Sequence, residues 1–353
     1  MAIDDLWYKN AIIYCLDVEK YQDANGDGIG DFEGLMRRLD YLQGLGVTFG
    51  DEGDRLQMML NFPVNQRLFY ALATGDLDPL IKALEDTRRR PRNAQWVQFL
   101  RSHDELDLGR LSDEQRQKVF DAFGPEKRMQ LYDRGIRRRL APMLGNDRRR
   151  LELAFSLLFS LPGTPMMQYG DEIGIGDDLR LPERECARTP MQWTAGRHGG
   201  FSRARKVVRP VLADKVYGYK KLNVANQRRD PQSLLNWTER MIRARKECPE
   251  ISWGNFVVLR TNITEVLAMR YDWRGTSLVT VHNFSSAKQK VKIKVDSPRD
   301  QLLVEVFDGH HSKALNDGKH HVEMDGYAWR WFRVGGADNV LDRSDLDLTN
   351  PMR

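Results

Sequence analysis

The texture of the chain changes at Trp253, and that change limits what the chain can fold into. Upstream, short apolar runs alternate with stretches of helical spacing. Residues 11–16, 56–62, 96–100 and 164–169 have the length and apolar content of buried strands. Between the first two, Phe32, Leu35, Leu39, Leu42 and Leu45 recur at helical intervals behind Asp31, a suitable N-cap. Residues 66–87, 113–160 and 233–247 also read as helical, the second broken at Gly124-Pro125, Pro142 and Gly145. Strands separated by helices imply a parallel sheet with crossovers. Downstream, residues 257–259, 265–269, 277–281, 291–295 and 302–306 are short runs with turn residues between them, as in an antiparallel β-sandwich. The expected division is a strand–helix unit over 1–250, a β unit over 251–337 and a polar tail over 338–353.

Composition supports a packed protein. Of 353 residues, 41% are hydrophobic and eight are Trp, enough to build a core. The apolar stretch from Leu151 to Leu161 is interrupted by Glu152, Ser156 and Ser160 and is too short to span a bilayer, so no membrane partner is expected. The first residues lack a basic-then-apolar leader, and the three cysteines are odd in number and far apart, which fits a reduced, cytoplasmic setting. The net charge of +5 owes much to arginine runs at 88–90, 137–139 and 148–150. Acids lie close to each run, which reads as solvated helix faces, so no nucleic-acid partner is expected.

Three words carry candidate chemistry. Asp23, Asn25, Asp27 and Asp31, with the Ile29 carbonyl, place oxygens at alternate positions around a glycine-rich turn, a spacing suited to Ca²⁺. An Asp/Asn turn without a metal is the plain alternative. Ser102-His103-Asp104 follows a strand; adjacent residues rarely converge on one reacting atom, so a serine-hydrolase triad is not supported. Asp171-Glu172 is a pair of neighbouring carboxylates, but at a strand-to-loop turn such side chains diverge, and the expected role of Asp171 is to fix the loop.

Taken in order, Ile12-Ile13-Tyr14, the 23–31 loop, Gly44-Leu45-Gly46-Val47-Thr48, Ser102-His103-Asp104-Glu105, Gln168-Tyr169-Gly170-Asp171-Glu172 and Arg188-Thr189-Pro190-Met191-Gln192-Trp193 resemble the α-amylase superfamily of glycoside hydrolases. The branch they resemble holds trehalose synthases (maltose α-glucosyltransferases) and oligo-1,6-glucosidases. The resemblance implies a (β/α)8 barrel followed by a β-sandwich, a structural Ca²⁺ at the 23–31 loop, and α-glucosides such as maltose as partners. It implies that Asp104 stabilises the transition state and that His103 binds the sugar. It also points to Arg188, and to Tyr14 and Trp193 as either sugar-facing or packing residues.

The family's middle is missing after Thr48. A complete barrel needs eight parallel strands, and only four strand–helix units are legible, resembling the family's first, sixth, seventh and eighth. The expected fold is therefore a partial barrel. Retaining hydrolysis needs two carboxyl groups, and the strands that carry the nucleophile and the acid/base in this family are absent. The expectation is a protein of this family unable to catalyse its reaction. A carbohydrate-binding or structural pseudoenzyme, and an enzyme that recruits another carboxylate pair such as Asp171 and Glu172, are the alternatives. Strands deprived of neighbours expose unpaired backbone groups, so self-association through their edges is expected.

Overall fold

The structure is a computed structural model that describes residues 8–9, 11–38, 40–41, 58–88, 95–296 and 302–335. The junction at 48–50, Leu56 and the 338–353 tail lie outside the described residues. Four strands, β1 (Ile13–Cys15), β2 (Met58–Leu60), β3 (Gln95–Phe99) and β4 (Thr164–Gln168), form one parallel sheet in the order β1-β4-β3-β2. Tyr14 lies opposite Met167, Val97 opposite Thr164, and Met59 opposite Trp96. Among the described residues, β1 and β2 are the edges. On β2, Met59 is 64% exposed.

Several helices begin where a side chain can satisfy a free N–H group. Asp31 Oδ1 accepts from Gly34 N at 2.6 Å and opens α1 (Phe32–Met36). Asn61 caps α2 (Phe62–Thr74), so the second strand ends before Phe62, which the apolar run had placed within it. The helical stretch expected over 66–87 is two helices. Gly75, at φ +77°, closes α2, and α3 (Asp78–Asp86) restarts with a proline in its first turn. The 113–160 region resolves into α4 (Asp113–Phe123), a small sheet of 106–107, 130–131 and 135–136, the short helix 140–143, and α5 (Arg148–Ser160). α6 (Leu234–Lys246) begins at Ser233, as expected.

The C-terminal strands are antiparallel. β5 (Asn255–Leu259), β6 (Val266–Trp273), β7 (Thr276–Asn283), β9 (Leu302–Glu305), β10 (His311–Lys313) and β12 (Trp329–Val334) form a six-stranded sheet in the order β10-β9-β12-β7-β6-β5. β8 (Gln289–Lys294) pairs with β11 (Lys319–Met324) in a second sheet. The two-residue period splits the faces of the larger sheet. Val266, Ala268, Val279 and Val281 pack with Val291, Ile293 and Val322. Leu267, Met269, Tyr271, Leu278 and Trp331 join the core of the strand–helix unit.

That second face is keyed to α5. Ser156 Oγ lies 2.9 Å from His282 Nε2 and accepts from Trp331 Nε1 at 3.0 Å, while the Tyr271 hydroxyl donates to the Ser160 carbonyl. Burial pushes the His282 imidazole down to about 3.

Candidate active site

The loop after β3 carries His103 and Asp104, and it is held from beneath by a buried arginine. Arg101 Nε donates to the Arg138 carbonyl and Nη2 to the Asp104 carbonyl, both at 2.8 Å. Burial pushes Arg101 down to about 10. The Asp104 side chain is 42% exposed and faces three cationic or potentially cationic groups. Arg188 Nη2 is 3.2 Å away, Arg184 Nε 3.4 Å and His103 Nε2 3.5 Å. Arg188 Nε also donates to the His103 carbonyl at 2.8 Å, and Arg184 Nε pairs with Glu105 at 2.6 Å. The structure thus brings His103, Asp104 and Arg188 together.

Tyr14 and Trp193 make other contacts. Trp193 is 2% exposed; its Nε1 donates to the Tyr21 carbonyl at 2.8 Å, and its ring meets Tyr21 and Tyr41 edge-on at 5.0 Å. The Arg38 guanidinium covers it at 4.2 Å. This corrects the stacking role: a buried indole in an aromatic cluster has no face left for a sugar. Tyr14 is half-buried, and its hydroxyl donates to Glu172 Oε1 at 2.6 Å, where the Tyr41 hydroxyl also donates at 2.5 Å. It is thereby tied to the same cluster.

The carboxylate pair is shut inside. Asp171 is 3% exposed and Glu172 fully buried. Burial pushes both up, Asp171 to about 6 against the pull of Arg139 and Arg101. Arg139 Nη2 lies 3.0 Å from Asp171 Oδ1, close but poorly aligned, so that Oδ1 has no hydrogen-bond partner among the described residues. Arg139 also donates to the Tyr169 and Ala187 carbonyls. Gly170, at φ +82°, turns the chain between strand and pair; a Cβ there would lie 2.7 Å from Ile175 Cγ2. Arg101, Arg139 and Tyr41 were missed from sequence, because long-range contacts alone define their roles.

The 23–31 loop is ordered by its own acids. Asp23 accepts from Gly26 N at 2.7 Å, Gly28 N at 2.8 Å and the Ser202 hydroxyl. Asp27 accepts from Ile29 N at 2.8 Å, Asn25 Oδ1 from Asp27 N at 2.9 Å, and Asp31 from Ala24 N at 3.1 Å. Gly28, at φ +93°, sits where a Cβ would meet the Lys206 carbonyl at 2.7 Å. The donor set is all oxygen, as Ca²⁺ requires, but Asp23 Oδ2 already accepts from both Gly28 N and the Ser202 hydroxyl, and Asp31 Oδ2 from both Ala24 N and Asn25 N. The acids are turned onto backbone N–H groups, as in a plain Asp/Asn turn.

Residues 133–254 match the α-amylase catalytic domain, and 275–333 match the sucrose hydrolase-like C-terminal domain. The chain belongs to the α-amylase superfamily of glycoside hydrolases. Within that class it is similar to trehalose synthases. It is 37% identical to that of Pimelobacter sp. over 82% of this chain and 51% of the relative, and 36% identical to that of Thermus thermophilus over 83% and 30%. The chain spans about half the length, or less, of these relatives. Its fold is similar to the trehalose-6-phosphate hydrolase of Bacillus licheniformis (TM-score 0.57, 13% identity, 94% of this chain and 100% of that one). It is also similar to an α-amylase from H. orenii (TM-score 0.55, 19% identity, 79% and 49%). At such identities the likeness concerns the fold alone.

Proposed function

We propose that this chain is a trehalose-synthase-like protein that keeps one sugar-facing rim of its family and does not turn over α-glucosides. The observation that carries this reading is the state of its carboxylates. Asp104 is engaged by Arg188 and Arg184, while Asp171 and Glu172 are buried away from solvent. Retaining hydrolysis needs two carboxyl groups about 5–5.5 Å apart across an open cleft, one to attack and one to protonate. A buried, arginine-bound or tyrosine-bound pair does neither, which weighs against recruitment of Asp171 and Glu172.

In this reading residues 1–250 are a partial (β/α)8 barrel and 251–337 its β-sandwich. The sheet order β1-β4-β3-β2 supports it, because a closed barrel places its eighth unit between the first and the seventh. So do Gln95 and Gln168, both buried on the sheet with amide groups lacking hydrogen-bond partners among the described residues. Asp23, Asn25, Asp27, Asp31 and the Ile29 carbonyl would hold a structural Ca²⁺, which would stiffen the loop and take no part in chemistry.

A second reading, weak binding of an α-glucoside such as maltose without turnover, is favoured by the half-exposed rim of His103 and Asp104. Ion pairs that exposed are worth about 1 kcal/mol or less, so a sugar hydroxyl can compete for them. Assays with maltose and a nitrophenyl α-glucoside test both. The expected result is no turnover above background; robust turnover that disappears in Asp104→Asn would sink the proposal. Maltose binding without turnover, weakened in the same variant, would establish the second reading.

A further inference from the structure

We infer a binding site for a divalent first-row transition-metal ion on the β unit, remote from the Asp104 loop, with Glu305, Asp308 and His310 as its ligands. A tight turn builds the group. Glu305 N donates to the His310 carbonyl at 2.7 Å, Gly309 stands at φ +70°, and His310 N donates to Asp308 Oδ1 at 3.0 Å. One ligand atom from each of the three side chains falls within 4.8 Å of the other two. Glu305 is 6% exposed and forms the floor, with Asp308 and His310 exposed above it. Two carboxylates and an imidazole are a mixed oxygen and nitrogen set, suited to Zn²⁺ or Co²⁺ more than to Ca²⁺ or Mg²⁺.

The surroundings point the same way. An open surface depression of about 160 Å³ is lined by Glu305 and His310 of the group together with His311, His321 and Glu323. That is room for the ion's remaining water ligands, with further imidazoles beside them. Arg330 is the resident cation: its Nη1 lies 2.6 Å from Glu305 Oε2 and 3.2 Å from Asp308 Oδ2. Two carboxylates against one guanidinium leave a net negative charge. The Arg330 side chain is 31% exposed, so it has a way out toward solvent when an ion takes its place. Arg330 is thus a built-in competitor that sets the affinity of the site.

Titration of the full chain with CoCl₂, followed by visible absorption, and melting curves with ZnCl₂ test this. Saturable binding is expected, weakened at least tenfold in His310→Ala and tightened at least tenfold in Arg330→Gln. Asp27→Ala should leave it unchanged, which separates this site from the 23–31 loop. Binding seen only in Arg330→Gln would still support the site, with Arg330 closing it in the native chain. Equal affinity in the native chain and His310→Ala, or no binding in either the native chain or Arg330→Gln, would overturn the inference.

Discussion

At the scale of the residue, the buried turn at 169–172 is where single changes matter most. Arg139 and Asp171 are 1% and 3% exposed, and removing one partner of such a pair leaves a charge without compensation. Arg139→Met is expected to destabilise by about 3–5 kcal/mol, read from urea unfolding; a loss under 1 kcal/mol would mean that Asp171 is stable there alone. The raised Asp171 carboxyl also has a sign. Its folded value of about 6 exceeds that of a free carboxyl, so its contribution is present below about pH 3.9 and is lost as pH rises through 6. Gly170→Ala forces a left-handed φ and a close contact on a side chain, at a cost of about 1–3 kcal/mol. The strand that leads into the Asp104 loop was legible from its apolar run, whereas the roles expected of Asp104 and His103 came from the family resemblance alone. Trp193 was left open because its letter is equally at home on a sugar and in a core, and only the convergence of Tyr21, Tyr41 and Arg38 favours the second.

At the scale of the element, spacing located the four parallel strands and α6 closely, since apolar runs bounded by turn residues leave few alternatives. It missed the division at Gly75 and the strands β10, β11 and β12. The first two of those strands are rich in His and Lys, whose pairing is set by partners far along the chain. The helix–sheet contact through His282 yields a pH test. An exposed histidine titrates near 6.5, this one at about 3, so the folded state resists a proton that the unfolded chain accepts. Stability present above about pH 6.5 is lost as pH falls toward 3. His282→Gln should flatten the acid limb of the melting curve against pH; an unchanged limb would assign acid sensitivity to other groups. At the 23–31 loop, Ca²⁺ should raise the melting temperature by mass action and EDTA should lower it. Asp27→Ala should abolish the shift, and a native melting curve indifferent to both would leave a plain Asp/Asn turn.

For the whole molecule, the open parallel sheet is the feature with consequences for assembly. Among the described residues β2 ends the sheet, with Met59 64% and Leu60 39% exposed, and its three residues include no Lys or Pro. Such an edge invites a strand from another chain. Association is expected at tens of micromolar by light scattering, reduced in Met59→Lys. A clean monomer with a cooperative melt would mean that the edge is protected.

The contact of α5 with the C-terminal sheet has a thermodynamic consequence. The six-stranded sheet is apolar on both faces, and only one is covered by its own partner strands; the other is covered by the helix that precedes β4. Cut away from residues 1–250, the β unit would present Leu267, Met269, Tyr271 and Trp331 to water, so it should not persist as an autonomous piece. Calorimetry of the full chain should accordingly show a single heat-absorption peak, with limited proteolysis releasing no long-lived fragment that begins near residue 255.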